Sequence, residues 1–343
     1  MGKTPPPQST PIGASPMEQF DSPPEKPELR IETGVAATKD FLIISCSKKE
    51  DRFEGFSRVC VFNAGAQVPW HYFDLPLTIL ASAAYHPAAA TAASLVLVGE
   101  DGDVFRLPLD GRPAIERVAG SGLWNDDSEG WGYLTGARQI GEHLYVYGAG
   151  GQIYRRADDG TWQHMDDGLL QKPDGVHNVF INAVDGAGAR DIHAAGWDSK
   201  ADAGLLFFRE DDAWKKVQLE TAELNGLCVE DRETVWVCGK DGTLLRGNRR
   251  TGFIDVSGTE DVRDYSDVKV YAGKVYLAAP EGLFVRENDA IESVVTGLVP
   301  EYRDGHVLQV VDGVLWSIGY ADIARYDGRA WERIAFPGNP PIV

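Results

Sequence analysis

A short hairpin recurs along this chain of 343 residues and limits the possible folds more than any other feature of the sequence. In each copy an apolar strand ends at a small residue, a turn follows, and a second strand ends in arginine. Gly99 precedes Arg106 by seven positions, and Gly239 precedes Arg246 by the same distance. The arginines recur at intervals of 49, 54, 37, 40 and 39 residues, and they are Arg106, Arg155, Arg209, Arg246, Arg286 and Arg325. Such a period indicates an architecture assembled from like units.

Each unit contains four short strands rather than two. A strand such as "NGLCVE" precedes the hairpin, and an aromatic or apolar strand such as "DDGTWQHM" follows it. Glycine, aspartate and asparagine separate these strands, as tight turns require. A more degenerate unit, containing "FLIISC", "RVCVF" and "WHYFDL", comes first, so the chain carries seven units. Each unit is roughly 40–50 residues long, a period typical of propeller blades.

Seven repeats of four antiparallel strands predict an all-β fold, a single seven-bladed β-propeller over residues 31–343. One four-stranded sheet cannot bury both of its faces, whereas sheets packed face to face around an axis can. We expect the ring to close where residues 30–37 lie beside the C-terminal unit. Two β-sandwiches are the alternative, but they would not need one recurring unit.

The N-terminal segment has a different composition from the repeats. Residues 1–30 hold eight of the 19 prolines and few large apolar side chains. Such a segment cannot bury enough apolar surface to offset the loss of chain entropy on folding. We therefore predict a disordered, proline-rich tail over residues 1–30.

The repeats resemble those of a known group of propellers. The stretches "LYVYGAGGQIYRRADDGTW" and "VWVCGKDGTLLRG" are similar to the blades of bacterial seven-bladed propellers of the WD40/YVTN-like kind. The Trp-Asp and Gly-His signatures of WD40 blades are missing, as is the Asp-box of sialidases. The resemblance spans about residues 31–338 and implies an architecture rather than an activity, because propellers host many unrelated functions.

The charge of the chain restricts its partners. The formal net charge is −19, whereas phosphate groups are bound by clusters of lysine and arginine. This charge argues against nucleic acid and against an anionic membrane surface, and it favours a basic protein partner. The chain has no run of about 18 apolar residues and no apolar stretch of a secretory signal near its N-terminus. We therefore expect a cytoplasmic monomer that contacts neither nucleic acid nor membrane.

Known catalytic, metal and cofactor patterns are missing. The seven histidines show no H-E-x-x-H or other ligand spacing, and no G-x-S-x-G elbow occurs. No helix follows the glycine-rich "GAGGQ", which excludes the dinucleotide-binding mechanism. The repeated arginines occupy equivalent positions in each unit, which favours a structural role at strand ends. We therefore predict no catalytic residue, no metal site and no cofactor.

The cysteines are expected to be structural. They match no zinc-binding pattern and lie within apolar strands. In such surroundings cysteine behaves as a small hydrophobic residue. We expect buried free thiols at Cys46, Cys60, Cys228 and Cys238.

The connections between strands carry the strongest functional signal. In blades with strands A to D, the B–C and D–A connections share one face, and the A–B and C–D connections share the other. The long predicted connections fall on the first face, at residues 47–57, 119–132, 166–177, 197–203, 257–266 and 296–305. One long connection, residues 85–93, falls on the opposite face.

The long connections are rich in acidic and aromatic residues. In "LWNDDSEGWGY" two tryptophans flank three acids, and Asp51 and Glu54 add to the acids of this face. Aromatic side chains beside carboxylates suit a basic protein surface. An alternative is that Trp131 begins a buried strand and the acids are only solvated. The residues that we predict to contact a partner are Trp124, Asp126, Asp127, Glu129, Trp131, Trp197, Asp198, Asp202, Asp264, Tyr265 and Tyr302.

These features predict a non-enzymatic binding propeller whose acidic face docks on a basic protein. One role for a bacterial cytoplasmic propeller of this kind is that of an immunity protein, which occludes a toxin such as one delivered by a type VI-like secretion system. Two alternatives stay open. The first is a carbohydrate-active hydrolase or lyase with two carboxylates about 5–10 Å apart in the central pocket. The second is an assembly scaffold, which differs from the immunity protein only in its partner.

Overall fold

The computed structural model describes residues 18–19, 28–50, 52–53, 55–87, 93–109, 111–258 and 260–337. Within these residues the chain forms seven antiparallel sheets and no helix. The innermost strand of each sheet contacts the innermost strands of the two neighbouring sheets, so the sheets form a closed ring. The prediction of an all-β, seven-bladed propeller is confirmed.

Each blade consists of four consecutive strands, which we call A to D from the axis outward. A two-residue strand, β1 (Glu18–Gln19), comes before the blades. The strands of blades 1 to 3 are β2 (Leu29–Thr38), β3 (Phe41–Lys48), β4 (Ser57–Asn63), β5 (Trp70–Leu75), β6 (Ile79–Tyr85), β7 (Ser94–Gly99), β8 (Asp103–Pro108), β9 (Ala114–Arg117), β10 (Leu134–Ile140), β11 (His143–Gly148), β12 (Ile153–Arg156) and β13 (Trp162–His164). The strands of blades 4 and 5 are β14 (Val179–Gly188), β15 (Asp191–Asp198), β16 (Ala203–Glu210), β17 (Ala213–Lys216), β18 (Leu224–Val229), β19 (Val235–Gly239), β20 (Leu244–Asn248) and β21 (Gly252–Asp255). The strands of blades 6 and 7 are β22 (Asp267–Tyr271), β23 (Lys274–Ala279), β24 (Gly282–Glu287), β25 (Ala290–Ser293), β26 (Val307–Val311), β27 (Val314–Ile318), β28 (Ile323–Tyr326) and β29 (Trp331–Arg333).

The B strands form the most deeply buried layer of the propeller. Every residue of β19 and every residue of β27 is buried, with no polar alternation. A strand covered on one face only would alternate apolar and polar side chains, so this pattern shows that neighbouring blades cover both faces. Trp316 of β27 is fully buried and packs with Ile31 and Leu42 of blade 1.

Blade 1 closes the ring against blade 7 through its innermost strand. The backbone N–H of Ala36 donates to Oε1 of Gln309 at 2.7 Å, and Nε2 of Gln309 donates to the carbonyl of Ala36 at 2.8 Å. The backbone N–H of Ile31 donates to the carbonyl of Tyr320 at 2.8 Å. Residues 30–37 therefore lie beside the C-terminal blade, as predicted.

The propeller begins slightly earlier than the predicted boundary. Strand β2 starts at Leu29, which is 4% exposed and packs in the core shared by blades 7 and 1. Strand β1 (Glu18–Gln19) pairs with the outer edge of β5. The rest of the tail for which disorder is predicted, residues 1–17 and 20–27, lies outside the described residues.

Four of the six hairpin arginines pair with acids on the outer part of their own blades, whereas Arg155 bonds Gln163 and Arg246 packs over Trp236. Nη2 of Arg286 lies 2.6 Å from Oδ1 of Asp289 in the following turn. Nε of Arg325 lies 2.9 Å from Oε2 of Glu332 on the adjoining D strand. Because these pairs join strand C to strand D or to its turn, they hold the outer edge of the blade, which is the structural role expected for them.

The four cysteines are buried and free. Burial raises the pKa of the Cys46, Cys228 and Cys238 thiols above its ordinary value. The thiolate, which is the reactive form, is therefore scarce at neutral pH. These side chains contribute to packing, as expected from the sequence.

Candidate functional site

The long connections gather on one face of the propeller. We call this the loop face, and it consists of the B–C and D–A connections. Its long members are residues 49–56, 118–133, 165–178, 256–266 and 294–306. The B–C connection predicted at residues 197–203 is shorter, because Trp197 and Asp198 still belong to strand β15. The opposite face has short turns apart from residues 86–93.

The loop face is the more acidic of the two faces. In its described connections, acidic side chains outnumber lysines and arginines by more than two to one, whereas the ratio on the opposite face is below two. Several of the acids have no ion pair among the described residues, and Glu50, Asp126 and Glu260 are exposed examples. Unpaired exposed carboxylates leave a negative field over this face, which attracts a basic surface.

A central channel lies between the A strands. Its cavity has a volume of about 530 Å³ and is lined by polar and apolar side chains from all seven blades. Oε2 of Glu32 lies 2.6 Å from Nε of Arg52, and Oδ1 of Asp267 lies 2.6 Å from Nζ of Lys269. Both carboxylates are therefore engaged by cations of the protein itself.

A third ion pair lies among the groups around the channel. Oδ1 of Asp185 is 2.9 Å from Nε of Arg138, and this partner raises the pKa of the guanidinium further above its ordinary value. His306 stacks on Tyr320 with ring centroids 4.3 Å apart, and its Nδ1 atom is buried without a hydrogen-bond partner among the described residues. Burial lowers the pKa of His306 to about 4, so its imidazole is neutral at pH 7.

The D–A connection between blades 2 and 3 has a fixed conformation. Oδ1 of Asp101 accepts hydrogen bonds from the backbone N–H groups of Leu123 and Trp124, at 2.8 and 3.4 Å. Gly122 has a φ of +84°, and a Cβ atom there would lie 2.5 Å from Oδ1 of Asp101. Only glycine allows this approach without strain. The Asp101 side chain therefore sets the path of the chain just before the tryptophan.

Trp124 stands at the tip of this connection. Its side chain is 75% exposed, and its Nε1–H group donates to Oη of Tyr133 at 2.8 Å. The ring of Phe53, which comes from the B–C connection of blade 1, stacks on Tyr133 with centroids 5.9 Å apart. Two connections, one within blade 1 and one between blades 2 and 3, thus form one largely aromatic surface, which we call the aromatic platform: Phe53, Leu123, Trp124 and Tyr133.

The other predicted residues of this connection bind their own neighbours. Nη2 of Arg117 lies 2.6 Å from Oδ1 of Asp127, and this hydrogen bond lowers the pKa of the Asp127 carboxyl below its ordinary value. Oε2 of Glu129 accepts from Nε1 of Trp131 at 3.2 Å. Trp131 is half-buried rather than exposed. Asp126 is exposed and has no internal bond among the described residues.

The predicted residues of blades 4 and 5 are also engaged within the protein. Trp197 stacks on Phe180 with centroids 5.6 Å apart, and its Nε1 donates to Asp202 at 3.2 Å. Oδ1 of Asp198 lies 2.9 Å from Nε2 of His177 and accepts from the backbone of the following turn. Asp264 is exposed and accepts from the backbone N–H of Asp241 at 3.3 Å. These side chains build the loop face, and their outer edges remain accessible.

Tyr265 and Tyr302, which the sequence predicts to contact a partner, are buried in this structure. Tyr265 is 0% exposed and donates to Oδ2 of Asp261 at 2.6 Å. Tyr302 is 2% exposed, and its hydroxyl lies 2.9 Å from Oγ of Ser317. Each ring packs between blades because its D–A connection turns inward at that point, and burial raises the pKa of both phenols. The acids predicted at Asp51 and Glu54 lie outside the described residues.

Apart from Trp124, the sequence analysis overlooked a set of exposed apolar side chains. Among the described residues, most large apolar side chains that are exposed lie on the loop face, at Phe53, Leu123, Trp124, Val176, Val262, Val295 and Val299. Val299 is 92% exposed and Val176 is 85% exposed. Phe53 and Trp124 adjoin one another through Tyr133, and a contiguous exposed apolar patch of this kind is typical of a protein interaction site. The sequence signal that could have identified these side chains is a single apolar residue inside a long connection that is otherwise polar.

The described residues bring together no group of three or more His, Cys, Asp or Glu side chains that could hold a metal ion. None of the described residues form a helix that is long and apolar enough to cross a membrane.

The fold and the loop face together define a seven-bladed propeller whose long connections form one acidic face. No family model matches the sequence. The chain is 31% identical over 212 residues to the immune protein Tsi7 of Pseudomonas aeruginosa, and the match covers 61% of this chain and 67% of Tsi7. The chain belongs to the family of the immune protein Tsi7.

Solved structures show the same fold at much lower sequence identity. A virginiamycin B lyase from Staphylococcus aureus has a TM-score of 0.59 and 11% identity, and the match covers 87% of this chain and 94% of the lyase. The WD40 propeller domain of Doa1 also has a TM-score of 0.59 and 11% identity, with 90% and 93% covered. These likenesses confirm the resemblance to WD40-like propellers and show the fold alone.

Proposed function

We propose that this protein is an immunity protein that neutralises a bacterial toxin by covering it with the loop face. The observation that carries the proposal is that one face of a Tsi7-family propeller combines exposed apolar side chains with unpaired carboxylates. The apolar groups supply the affinity of a protein interface, and the carboxylates guide a basic partner towards it. The partner is a toxin with a basic surface, and this chain acts as a cytoplasmic monomer.

The proposed mechanism is occlusion and needs no reaction. A rigid ring presents the loop face without rearrangement, so little conformational entropy is lost when the partner binds. Negative charge spread over the face raises the rate of encounter with a positive surface, and this effect weakens as salt increases. A toxin delivered by a type VI-like system would be met in the cytoplasm and blocked at its active cleft.

The ion pairs in and around the channel support a non-enzymatic role. Glu32, Asp185 and Asp267 each have a cationic partner within 3 Å. The two carboxyl groups of a glycan hydrolase flank the glycosidic bond and act directly on the sugar, whereas these three carboxylates are each engaged by a cation of the protein itself. A scaffold role would use the same face with a different partner, so the identity of the partner distinguishes it from immunity.

A protection assay tests the proposal. Each candidate toxin gene found beside this gene is expressed in bacteria with and without the propeller, and growth is followed. Protection by the propeller, together with a one-to-one complex in size-exclusion chromatography, is the expected result. A propeller that neither restores growth nor forms a complex would contradict the immunity function.

Matched charge reversals test the docking face. Glu50→Lys with Asp126→Lys changes two exposed acids of the loop face that have no internal bond among the described residues. Glu142→Lys with Asp158→Lys makes the same change on exposed turns of the opposite face. The first pair should slow association and weaken protection, whereas the second should leave both unchanged. Equal effects from the two pairs would show that overall charge, rather than this face, matters.

A further inference from the structure

The aromatic platform differs from the other exposed groups of the loop face in how firmly it is held. The connection that carries Trp124 is closed by an isolated β-bridge between Gly122 and Gly132. Oγ of Ser128 donates to the carbonyl of Gly122 at 2.6 Å, and the backbone N–H of Glu129 donates to the carbonyl of Gly120 at 2.8 Å. These bonds cross the loop, so the tip keeps one conformation before any partner arrives.

The exposed indole already has its polar requirement satisfied. The Nε1–H of Trp124 donates to Tyr133, so burying the ring under a partner leaves no unpaired donor. A donor that lost its partner on burial would oppose binding. The ring offers a large exposed apolar area, its donor is already hydrogen-bonded, and its fixed position means that little rotamer entropy is lost on binding. These properties are typical of an interface hot spot.

The other tryptophans of the loop face do not have this combination. Trp131 is half-buried, and Nζ of Lys172 lies 5.7 Å from its ring centroid. Trp197 is half-buried, and Nζ of Lys240 lies 5.7 Å from its ring. Both rings therefore already have a cation of this protein beside them. Trp124 has no such cation among the described residues, and its ring remains open to one from a partner.

We propose that the aromatic platform is the anchor of the toxin complex, and that it enters an apolar pocket edged by lysine or arginine side chains on the toxin. The proposal rests on the proposed immunity function. Asp126 stands two residues beyond Trp124, exposed and without an ion pair among the described residues, so it faces the cationic edge of that pocket. Indole and carboxylate together select a cation beside an apolar surface.

This arrangement divides the work of binding between two kinds of side chain. Trp124 controls how long the complex lasts, because its buried contacts must break before the toxin leaves. Asp126 controls how fast the complex forms, because it acts through the field outside the protein. Substitutions at the two positions should therefore change different rate constants.

The experiment uses the toxin identified by the protection assay, purified in an inactive form and attached to a biosensor surface. Trp124→Ala should raise the dissociation rate by about 30-fold or more, as truncation of a hot spot does, and change the association rate by less than about threefold. Trp124→Phe should recover most of the lifetime because it keeps a ring. Asp126→Lys should mainly lower the association rate.

The control is Ile115→Ala, which removes a side chain that is 55% exposed on strand β9, away from the loop face. It should bind as the unmodified protein does. If Trp124→Ala keeps the original dissociation rate while the unmodified protein binds and protects, the anchor is refuted and the immunity function stands. If the unmodified protein neither binds nor protects, the immunity function fails and the anchor fails with it.

Discussion

The imidazole of His306, which is half-buried beside the central channel, gives the propeller a specific acid sensitivity. Its pKa is lowered by burial to about 4 from an ordinary value near 6.5. Between these two values the unfolded chain binds a proton at this position and the folded chain does not. The stabilisation that the neutral imidazole contributes is therefore fully present above pH 6.5 and is lost as the pH falls towards 4.

The size of the effect follows from the shift. A difference of one pKa unit corresponds to about 1.4 kcal/mol, so His306 should remove about 2.5 kcal/mol of the free energy of unfolding between pH 7.5 and pH 4.5. Burial raises the pKa of Glu100, Asp166 and Asp304, and these acids act in the opposite direction. Two proteins that share these acids but differ at position 306 therefore differ in pH dependence only through the contribution of the histidine.

The suitable variant is His306→Gln, which keeps a polar side chain beside Tyr320 and cannot titrate. Urea unfolding of both proteins is followed by tryptophan fluorescence at several pH values, with acid-induced aggregation excluded by light scattering. Between pH 7.5 and 4.5 the unmodified protein should lose about 2.5 kcal/mol more than the variant. Parallel losses in the two proteins would show that His306 does not titrate as its burial implies.

Three further outcomes follow from the same contacts. Asp101→Ala removes the acceptor for the backbone of Trp124, so amide hydrogen exchange in residues 120–132 should accelerate while global stability falls by only about 1 kcal/mol. Tyr265→Phe removes the hydroxyl that donates to Asp261, and it should lower stability by about 1 kcal/mol without altering toxin binding; weaker binding would restore this buried tyrosine as a contact residue. Trp316→Ala empties a fully buried site between blades 7 and 1 and should cost about 3–5 kcal/mol in chemical unfolding, whereas a cost below 1 kcal/mol would mean that the ring closes without it.

Much of the fold was predictable because its physical causes are local and repeated. The turn residues separate strands at regular intervals, and unbroken apolar stretches such as "VWVCG" mark strands covered on both faces. Because the pattern occurs seven times, a strand that is ambiguous in one copy can be identified by comparison with the other copies. The placement of long connections on one face then follows from strand alternation alone.

The surface residues were predicted less well for a physical reason. Composition shows that a loop contains aromatic rings and acids, but not whether a ring turns inward or outward. Tyr265 and Trp124 both occur in acidic D–A connections, yet one is 0% exposed and the other 75%. In the same way, sequence alone could not show that Asp127 pairs with Arg117 while the neighbouring Asp126 has no ion pair among the described residues.

By itself the sequence determined the architecture, the number of blades and the acidity of the long connections, because these depend on period and composition. The tertiary structure decided which side chains a partner can reach. Phe53 lies in a different connection from Trp124 and Tyr133, which stand on opposite sides of one loop. Only the packing of blades 1 to 3 brings these three side chains together. The exposure of a loop side chain depends on the whole propeller, because each blade covers some loop residues of its neighbours and leaves others accessible to solvent.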